Sequence, residues 1–111
     1  MLRSPADFVA LQQLGRSRSH RLVTVRMRRN DLDHNRYGIA TGRKLGKAVE
    51  RNRVRRRVRD ILRRIDGTIE SGRDILVVAR PESVSASFAE LAAALGKLLG
   101  DGPRKEGMRS R

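Results

Sequence analysis

The hydrophobic residues in the middle of the chain recur with the period of an α-helix. Val54, Val58, Ile61 and Ile65 are separated by four, three and four positions, which places them on one face of a helix. The pattern predicts a helix over residues 47–65 that ends before the next glycine. We expect one face of this helix to pack against the rest of the protein and the other to face solvent.

The segments on either side of this helix have the two-residue period of β-strands. Residues 22–28 alternate apolar and polar positions, and residues 37–41 alternate larger side chains with glycine and alanine. The nearly bare second face of residues 37–41 is unusual for a strand, and glycine at such positions often marks a close approach by another group. Residues 73–80 contain a continuous apolar run, which is typical of a strand buried at the centre of a sheet. Whether residues 16–19 form a further short strand stays open.

The chain is expected to begin and end with a helix. Ser4 is a suitable cap for a first helix whose apolar face includes Phe8, and Ser87 opens a capping box for a last helix. This element order predicts an α+β fold in which helices pack on one sheet. We expect residues 1–100 to form a single domain and residues 101–111 to form a disordered basic tail.

Charge is concentrated on the predicted central helix. Residues 43–66 hold eleven Lys or Arg and three acids, so this segment supplies +8 of the chain's net charge of +14. At about 100° per residue, the positions opposite the apolar face are Asn52, Arg55, Arg56, Arg59 and Arg63. A solvated charged face would instead mix signs, with acids spaced to pair with the arginines. The excess of guanidinium groups therefore predicts binding to a polyanion, and the use of arginine favours structured RNA.

Other function classes receive little support from the sequence. It contains no run of 18 apolar residues of the kind that spans a membrane. The absence of cysteine excludes disulfides and thiolate metal sites, and it fits a cytoplasmic protein. Asp31, Asp33 and His34 offer metal ligands in principle, but a solvated turn is the simpler interpretation. With only three aromatic residues, the chain lacks the aromatic platform of a sheet that stacks RNA bases.

Residues 37–60 resemble the signature of the bacterial ribonuclease P protein subunit. In that family a strand ends in two basic residues and is followed by Gly-x-Ala-Val-x-Arg-Asn-Arg-x-Lys/Arg-Arg-x-x-Arg. The matching positions are Arg43, Lys44, Gly46, Ala48, Val49, Arg51, Asn52, Arg53, Arg55, Arg56 and Arg59. The resemblance extends over about residues 2–99, and the Arg-Asn-Arg core with these flanks is highly specific.

The resemblance implies both a fold and a role. The fold is a two-layer α/β sandwich with a mixed sheet, in the order α-β-β-(β)-α-β-α. It has a left-handed β-α-β crossover and a likeness to a ribosomal protein domain. The catalytic RNA of the family removes the 5′ leader of precursor tRNA, with Mg²⁺ held mainly by the RNA and the substrate. The protein is an accessory subunit of this endoribonuclease, without catalytic residues of its own. One protein per RNA is implied, with no obligate protein oligomer.

The resemblance and the charge pattern of the central helix together assign two groups of binding residues. Those expected to contact RNA are Arg43, Lys44, Lys47, Arg51, Asn52, Arg53, Arg55, Arg56, Arg59 and Arg63. Those expected to contact the leader are Phe8, Gln12, Arg26 and Arg80. Gln12 and Arg26 stand where aromatic residues are common in the family, so Arg26 would have to replace base stacking by stacking of its guanidinium plane. Lys44, Lys47 and Arg80 are expected near the place where the leader meets the catalytic RNA.

Two alternatives come from other classes of protein. A structural ribosomal protein has a similar size, charge and fold type, but it should not prefer precursor to mature tRNA. A protein nuclease would cleave RNA unaided, and the sequence offers no nucleophile, general base or metal cluster for that reaction.

Overall fold

The computed structural model describes residues 16–100 of the chain, which form one four-stranded sheet and two α-helices. The elements are β1 (Arg16–Ser19), β2 (Val23–Arg29), β3 (Arg36–Thr41), α1 (Ala48–Ile65), β4 (Arg73–Ala79) and α2 (Phe88–Leu95). Short 3₁₀ turns follow β3, α1 and β4, and a π-helical turn over Gly96–Gly100 extends α2. Within these residues, no helix is both long enough and apolar enough to cross a membrane.

The sheet is mixed and has the strand order β1-β2-β4-β3. β1 pairs with β2 and β2 with β4 in antiparallel fashion, whereas β3 and β4 are parallel neighbours. The predicted central strand is confirmed as β4, which is buried from Asp74 to Val77 and again at Ala79. The strand left open at residues 16–19 is present as an exposed edge strand.

α1 begins at Ala48, one residue later than the sequence predicts, and the residues before it explain why. Lys47 precedes the helix, and its backbone amide donates to the Glu50 carboxylate at 2.9 Å, which satisfies one free N–H of the helix start. Gly46 adopts a φ of 134°, a conformation that side chains disfavour, and a Cβ there would also meet the Glu50 carboxylate. The glycine and the acid of the motif therefore shape the entry to the helix together.

The apolar face of α1 packs against the sheet and against α2. Val54, Val58 and Ile61 are buried as predicted, and they join the same core as the inward-facing residues of β2 and β4. Leu62 is buried as well, although the predicted stripe omits it, while Ile65 at the helix end is only partly buried. The apolar face is therefore centred slightly further toward Leu62 than the spacing indicated.

The second face of the sheet is less bare than the sequence indicated. Leu76 is fully buried on this face and has Ala40 and Val78 packed against it. Gly38 is itself buried on this strand. The close approach of RNA to β3 stays a prediction.

Three expectations stay predictions. Because β3 and β4 are parallel neighbours joined through α1, the connection is a β-α-β unit, but its left-handed crossover is still a prediction. The first helix that Ser4 was expected to cap and the tail over residues 101–111 lie outside the described residues. The proposed domain limits also remain a prediction.

Candidate nucleic-acid interface

Seven cations from the predicted RNA-binding set are exposed on and beside α1. Four arginines occupy the outer face of the helix, and the other three cations lie in the segment that leads into it. The seven are Arg43, Lys44, Lys47, Arg53, Arg56, Arg59 and Arg63, and the predicted Asn52 is exposed among them. The helix positions recur at three or four residues, so their side chains follow one face over nearly three turns.

The acids of this segment are occupied by groups other than the charged ends of these seven side chains. Glu50 accepts from the Lys47 backbone amide, and Asp66 accepts from the Tyr37 hydroxyl and from Asn35. Asp60 pairs with Arg64, one turn further along α1, at 3.2 Å. Within residues 16–100, none of the predicted RNA-binding cations forms an ion pair with a carboxylate. The interface therefore carries an uncompensated positive charge.

Two predicted RNA-binding arginines have a different environment from the rest. Arg51 is partly buried, and its Nη1 donates to the Gly46 carbonyl at 3.2 Å. Arg55 is also partly buried, with Nη1 donating to Asn52 Oδ1 at 2.8 Å and Nη2 to Thr41 Oγ1 at 2.6 Å. Arg55 therefore lies at the border between α1 and β3, not fully opposite the apolar stripe as the helical projection indicated. Both side chains thus form hydrogen bonds beside the first half of α1.

Lys44 and Arg80 come from the same end of the sheet. The parallel register pairs Thr41 with Ala79, so the residues that follow β3 and β4 emerge side by side. The turn over residues 43–45 packs against the turn over residues 81–85. Arg80 is exposed, with its Nε 4.0 Å from Glu82 Oε1, a distance at which a surface pair contributes little.

The remaining predicted leader residues lie elsewhere or outside the described residues. Arg26 is partly buried on β2 and pairs in register with Leu76, so it belongs to the sheet face opposite α1. Phe8 and Gln12 lie outside the described residues. Among residues 16–100, the structure therefore groups Arg80 with Lys44 and places Arg26 on a separate surface.

The sequence analysis missed a buried ionic cluster centred on Asp74. This carboxylate is fully buried, and it accepts from Arg36 at 2.7 and 2.8 Å, from Asn30 at 3.0 Å and from Arg28 at 3.2 Å. Burial alone would raise the pKa of Asp74, but the hydrogen bonds from Arg36, Asn30 and Arg28 outweigh it and hold that pKa below its usual value. The available signal was a single carboxylate inside a continuous apolar strand, which requires a cationic partner.

A second polar link fixes the far end of α1 to β3. The Tyr37 hydroxyl donates to Asp66, just beyond the helix, and Asn35 donates to the same carboxylate at 3.3 Å. Burial, together with the neighbouring Asp66, raises the pKa of the Tyr37 hydroxyl. α1 is thus anchored at both ends, by Gly46 and Glu50 at its start and by this link at its end.

The described carboxylates do not suit a divalent metal. No group of three or more His, Asp or Glu residues within residues 16–100 is arranged to hold a metal ion. Both oxygens of Asp74 are already hydrogen-bonded to arginine or asparagine. Asp33 contacts His34 at 3.0 Å in the exposed loop, as expected for a solvated turn.

The fold and the interface together define a class of protein. It is a small α+β protein in which the helix that connects two parallel strands presents arginines without carboxylate partners among residues 16–100. Comparison with known proteins identifies a family within this class. A family model for ribonuclease P matches residues 1–101. The ribonuclease P protein component of Chloroflexus aggregans is 42% identical over 99 residues, which cover 88% of this chain and 73% of that protein. The corresponding protein of Acidothermus cellulolyticus is 41% identical over 101 residues, with coverages of 89% and 84%.

Solved structures agree with this assignment. The RNase P protein from Thermotoga maritima, in complex with 1-(4-fluorophenyl)-2-thiourea, aligns with a TM-score of 0.85 at 36% identity. The alignment covers 91% of this chain and 98% of that one. The RNase P protein of Staphylococcus aureus aligns with a TM-score of 0.80 at 30% identity, over 86% of this chain and 88% of that one. The chain therefore belongs to the ribonuclease P protein family, whose members are subunits of an endoribonuclease of tRNA processing.

Proposed function

We propose that this chain binds the catalytic RNA of ribonuclease P through the exposed arginine face of α1. The observation that carries the proposal is the row of cations whose charge no carboxylate of residues 16–100 neutralises. Guanidinium groups can donate two parallel hydrogen bonds to a phosphate, and a rigid helix holds them at fixed spacing. A folded RNA, with phosphates at high density, is the partner that this surface fits best.

We further propose that the 5′ leader of precursor tRNA passes the end of the sheet where Lys44 and Arg80 adjoin. Both residues follow parallel strands and are exposed, so a phosphate chain can run past them. Lys47, at the start of α1, would continue the basic track toward the catalytic RNA. Arg26, on the opposite sheet face, and Phe8 and Gln12 complete the predicted leader contacts, and these three assignments rest on the family resemblance alone.

On this proposal the RNA performs the cleavage and binds the Mg²⁺ that the reaction requires. The protein contributes fixed positive charge, which replaces part of the diffuse cation atmosphere that an RNA needs in order to bind another RNA. The chain should therefore lower the Mg²⁺ concentration at which precursor tRNA is cleaved. We place the complex in the cytoplasm, with one copy of this chain per catalytic RNA.

A reconstitution experiment tests the proposal. The catalytic RNA from the same organism, this protein and precursor tRNA are combined at a Mg²⁺ concentration that does not support cleavage by the RNA alone. We expect removal of the leader only when both the RNA and the protein are present. No gain from the protein would reject the proposed role, and cleavage by the protein alone would indicate a protein nuclease.

Substrates with graded leaders separate this function from general RNA binding. The affinity of the complex should rise with leader length when the protein is present and should change less without it. A ribosomal protein, which the family match does not favour, would show no preference for precursor over mature tRNA. Arg80→Ala should weaken the dependence on leader length, because it removes a charge at the proposed track.

A further inference from the structure

A groove between α1 and the start of α2 has features that phosphate binding alone does not require. Its volume is about 580 Å³, and among residues 16–100 its lining is arginine apart from Asp60 and Phe88. An aromatic ring, a carboxylate and several guanidinium groups thus share one concave surface. The aromatic ring and the carboxylate suit a nucleobase, whereas the guanidinium groups suit the phosphates on either side of that base.

The ring of Phe88 contacts α1, and hydrogen bonds fix the start of α2 beside that helix. It is only partly buried, and the guanidinium carbon of Arg64 lies 5.2 Å from its centroid. Ser87 caps α2 by accepting from the Glu90 backbone amide at 3.1 Å, which fixes the residue next to the ring. Arg57 of α1 donates to the Ala86 carbonyl at 3.0 Å. The Phe88 ring and the arginine face of α1 are therefore held in a fixed arrangement relative to each other.

Within the part of the chain that the structure describes, Asp60 is the one acid that lines this groove. Its Oδ2 accepts from Arg64 at 3.2 Å, and within residues 16–100 its Oδ1 has no hydrogen-bond partner. A carboxylate beside the arginine face weakens the attraction for phosphates, so its position needs another explanation. The Watson–Crick edge of guanine carries two adjacent N–H donors, which an available carboxylate can accept.

We propose that this groove binds one unstacked guanine nucleotide from a single-stranded segment of the partner RNA. The base lies against the Phe88 ring, its Watson–Crick edge faces Asp60, and its flanking phosphates contact Arg53 and Arg56. This inference rests on the proposed RNA-binding function and adds to it a site that reads a base. The alternative is a purely structural role, in which Phe88 only covers the edge of the core and Asp60 only pairs with Arg64.

The first test uses hexauridylate RNA whose central position holds guanosine, uridine or an abasic site. With the full-length wild-type protein, we expect the guanosine form to bind at least about fivefold more tightly than the abasic form. Phe88→Leu keeps an apolar side chain at the core edge and should remove this preference. An equal affinity for all three RNAs would overturn the inference. Free guanosine monophosphate should bind more weakly than the hexamer, and equal binding would overturn the assignment to an RNA segment.

A fluorescent variant gives an independent readout. The chain contains no tryptophan, so the indole of Phe88→Trp reports on the groove alone. Stacking of guanine on the indole should quench its emission with the guanosine hexamer and not with the abasic one. Circular dichroism of Phe88→Trp and Phe88→Leu, compared with the wild type, verifies that both variants are folded. Equal quenching by the two RNAs would contradict base stacking.

Asp60→Ala separates base recognition from charge, because the two effects have opposite signs. Loss of a negative charge should strengthen the binding of every hexamer, whereas loss of the base contact should reduce the ratio of guanosine to uridine affinity. An unchanged ratio would reject the role of Asp60. If the wild-type protein binds the catalytic RNA but shows no base preference, only this inference fails. If it does not bind that RNA at all, the proposed function fails.

Discussion

The salt dependence of RNA binding gives a quantitative test of the arginine face. Each phosphate neutralised by a cation releases counterions, so the logarithm of affinity falls linearly with the logarithm of salt concentration. Seven cations of the predicted set are exposed. If all seven contact phosphate, the slope lies between about −5 and −6. Affinity should then fall by about 10³-fold to 10⁴-fold between about 50 and 200 mM salt.

Removal of one of these cations should change the slope by a predictable amount. Arg56 is exposed, and it forms no hydrogen bond or ion pair within residues 16–100, so Arg56→Ala should leave the fold intact. The slope should become less steep by about 0.7–0.9, and affinity near 150 mM salt should fall by about fivefold, or about 1 kcal/mol. Filter binding to the catalytic RNA over a series of salt concentrations measures both quantities.

Arg29→Ala is the matched control. Arg29 is also exposed and unpaired within the described residues, but it ends β2 at the opposite end of the sheet from Arg80. The same charge is removed, so an effect of net charge alone would change both variants equally. We expect the slope to change with Arg56→Ala and to stay nearly constant with Arg29→Ala. Equal slopes for the two variants would refute the assignment of the α1 face.

Three predictions concern stability, each measured by chemical denaturation. Gly46→Ala should lower the free energy of unfolding by about 2–3 kcal/mol, because Gly46 has a positive φ and the Glu50 side chain lies where the new methyl group would be. Gly67→Ala is the control: its new methyl group meets no other atom, so the free energy of unfolding should change by less than about 1 kcal/mol. Asp74→Asn should lower the free energy of unfolding by about 2–4 kcal/mol, because Arg36 and Arg28 lose their buried counter-charge. An unchanged free energy of unfolding would contradict this prediction. Because the folded-state pKa of Asp74 is depressed, its contribution is present above about pH 4 and is lost as the pH falls through the folded-state pKa. The pH dependence of stability should therefore flatten in Asp74→Asn.

The sequence was sufficient for those elements whose side chains repeat with a clear period. The spacing from Val54 to Ile61 predicted α1 almost to the residue, and the continuous apolar run from Ile75 predicted the central strand. Local rules also predicted the cap of α2, because Ser87 and Glu90 interact within one turn. In each case the determining interactions lie close together in the sequence.

Interactions between distant residues were harder to predict. The cluster on Asp74 joins side chains of three strands, separated by 38 to 46 positions in the sequence. The placement of Arg55 against Thr41 depends on how α1 lies on β3, which helical periodicity does not specify. The groove beside Phe88 likewise appears only when α1 and α2 pack together. Sequence patterns predicted which face of α1 carries charge, but they did not predict the hydrogen-bond or ion-pair partner of each charged side chain.

Directed probing of the RNA from two positions tests most directly whether the α1 face contacts RNA. The chain has no cysteine, so a single cysteine can carry a tethered iron chelate that cleaves nearby RNA. Val49, 72% exposed at the start of α1, and Leu32, 44% exposed in the loop at the other end of β3, are the matched sites. We predict strong, localised cuts in the catalytic RNA from Val49→Cys and few from Leu32→Cys. Strong cuts from Leu32→Cys with none from Val49→Cys would contradict the account.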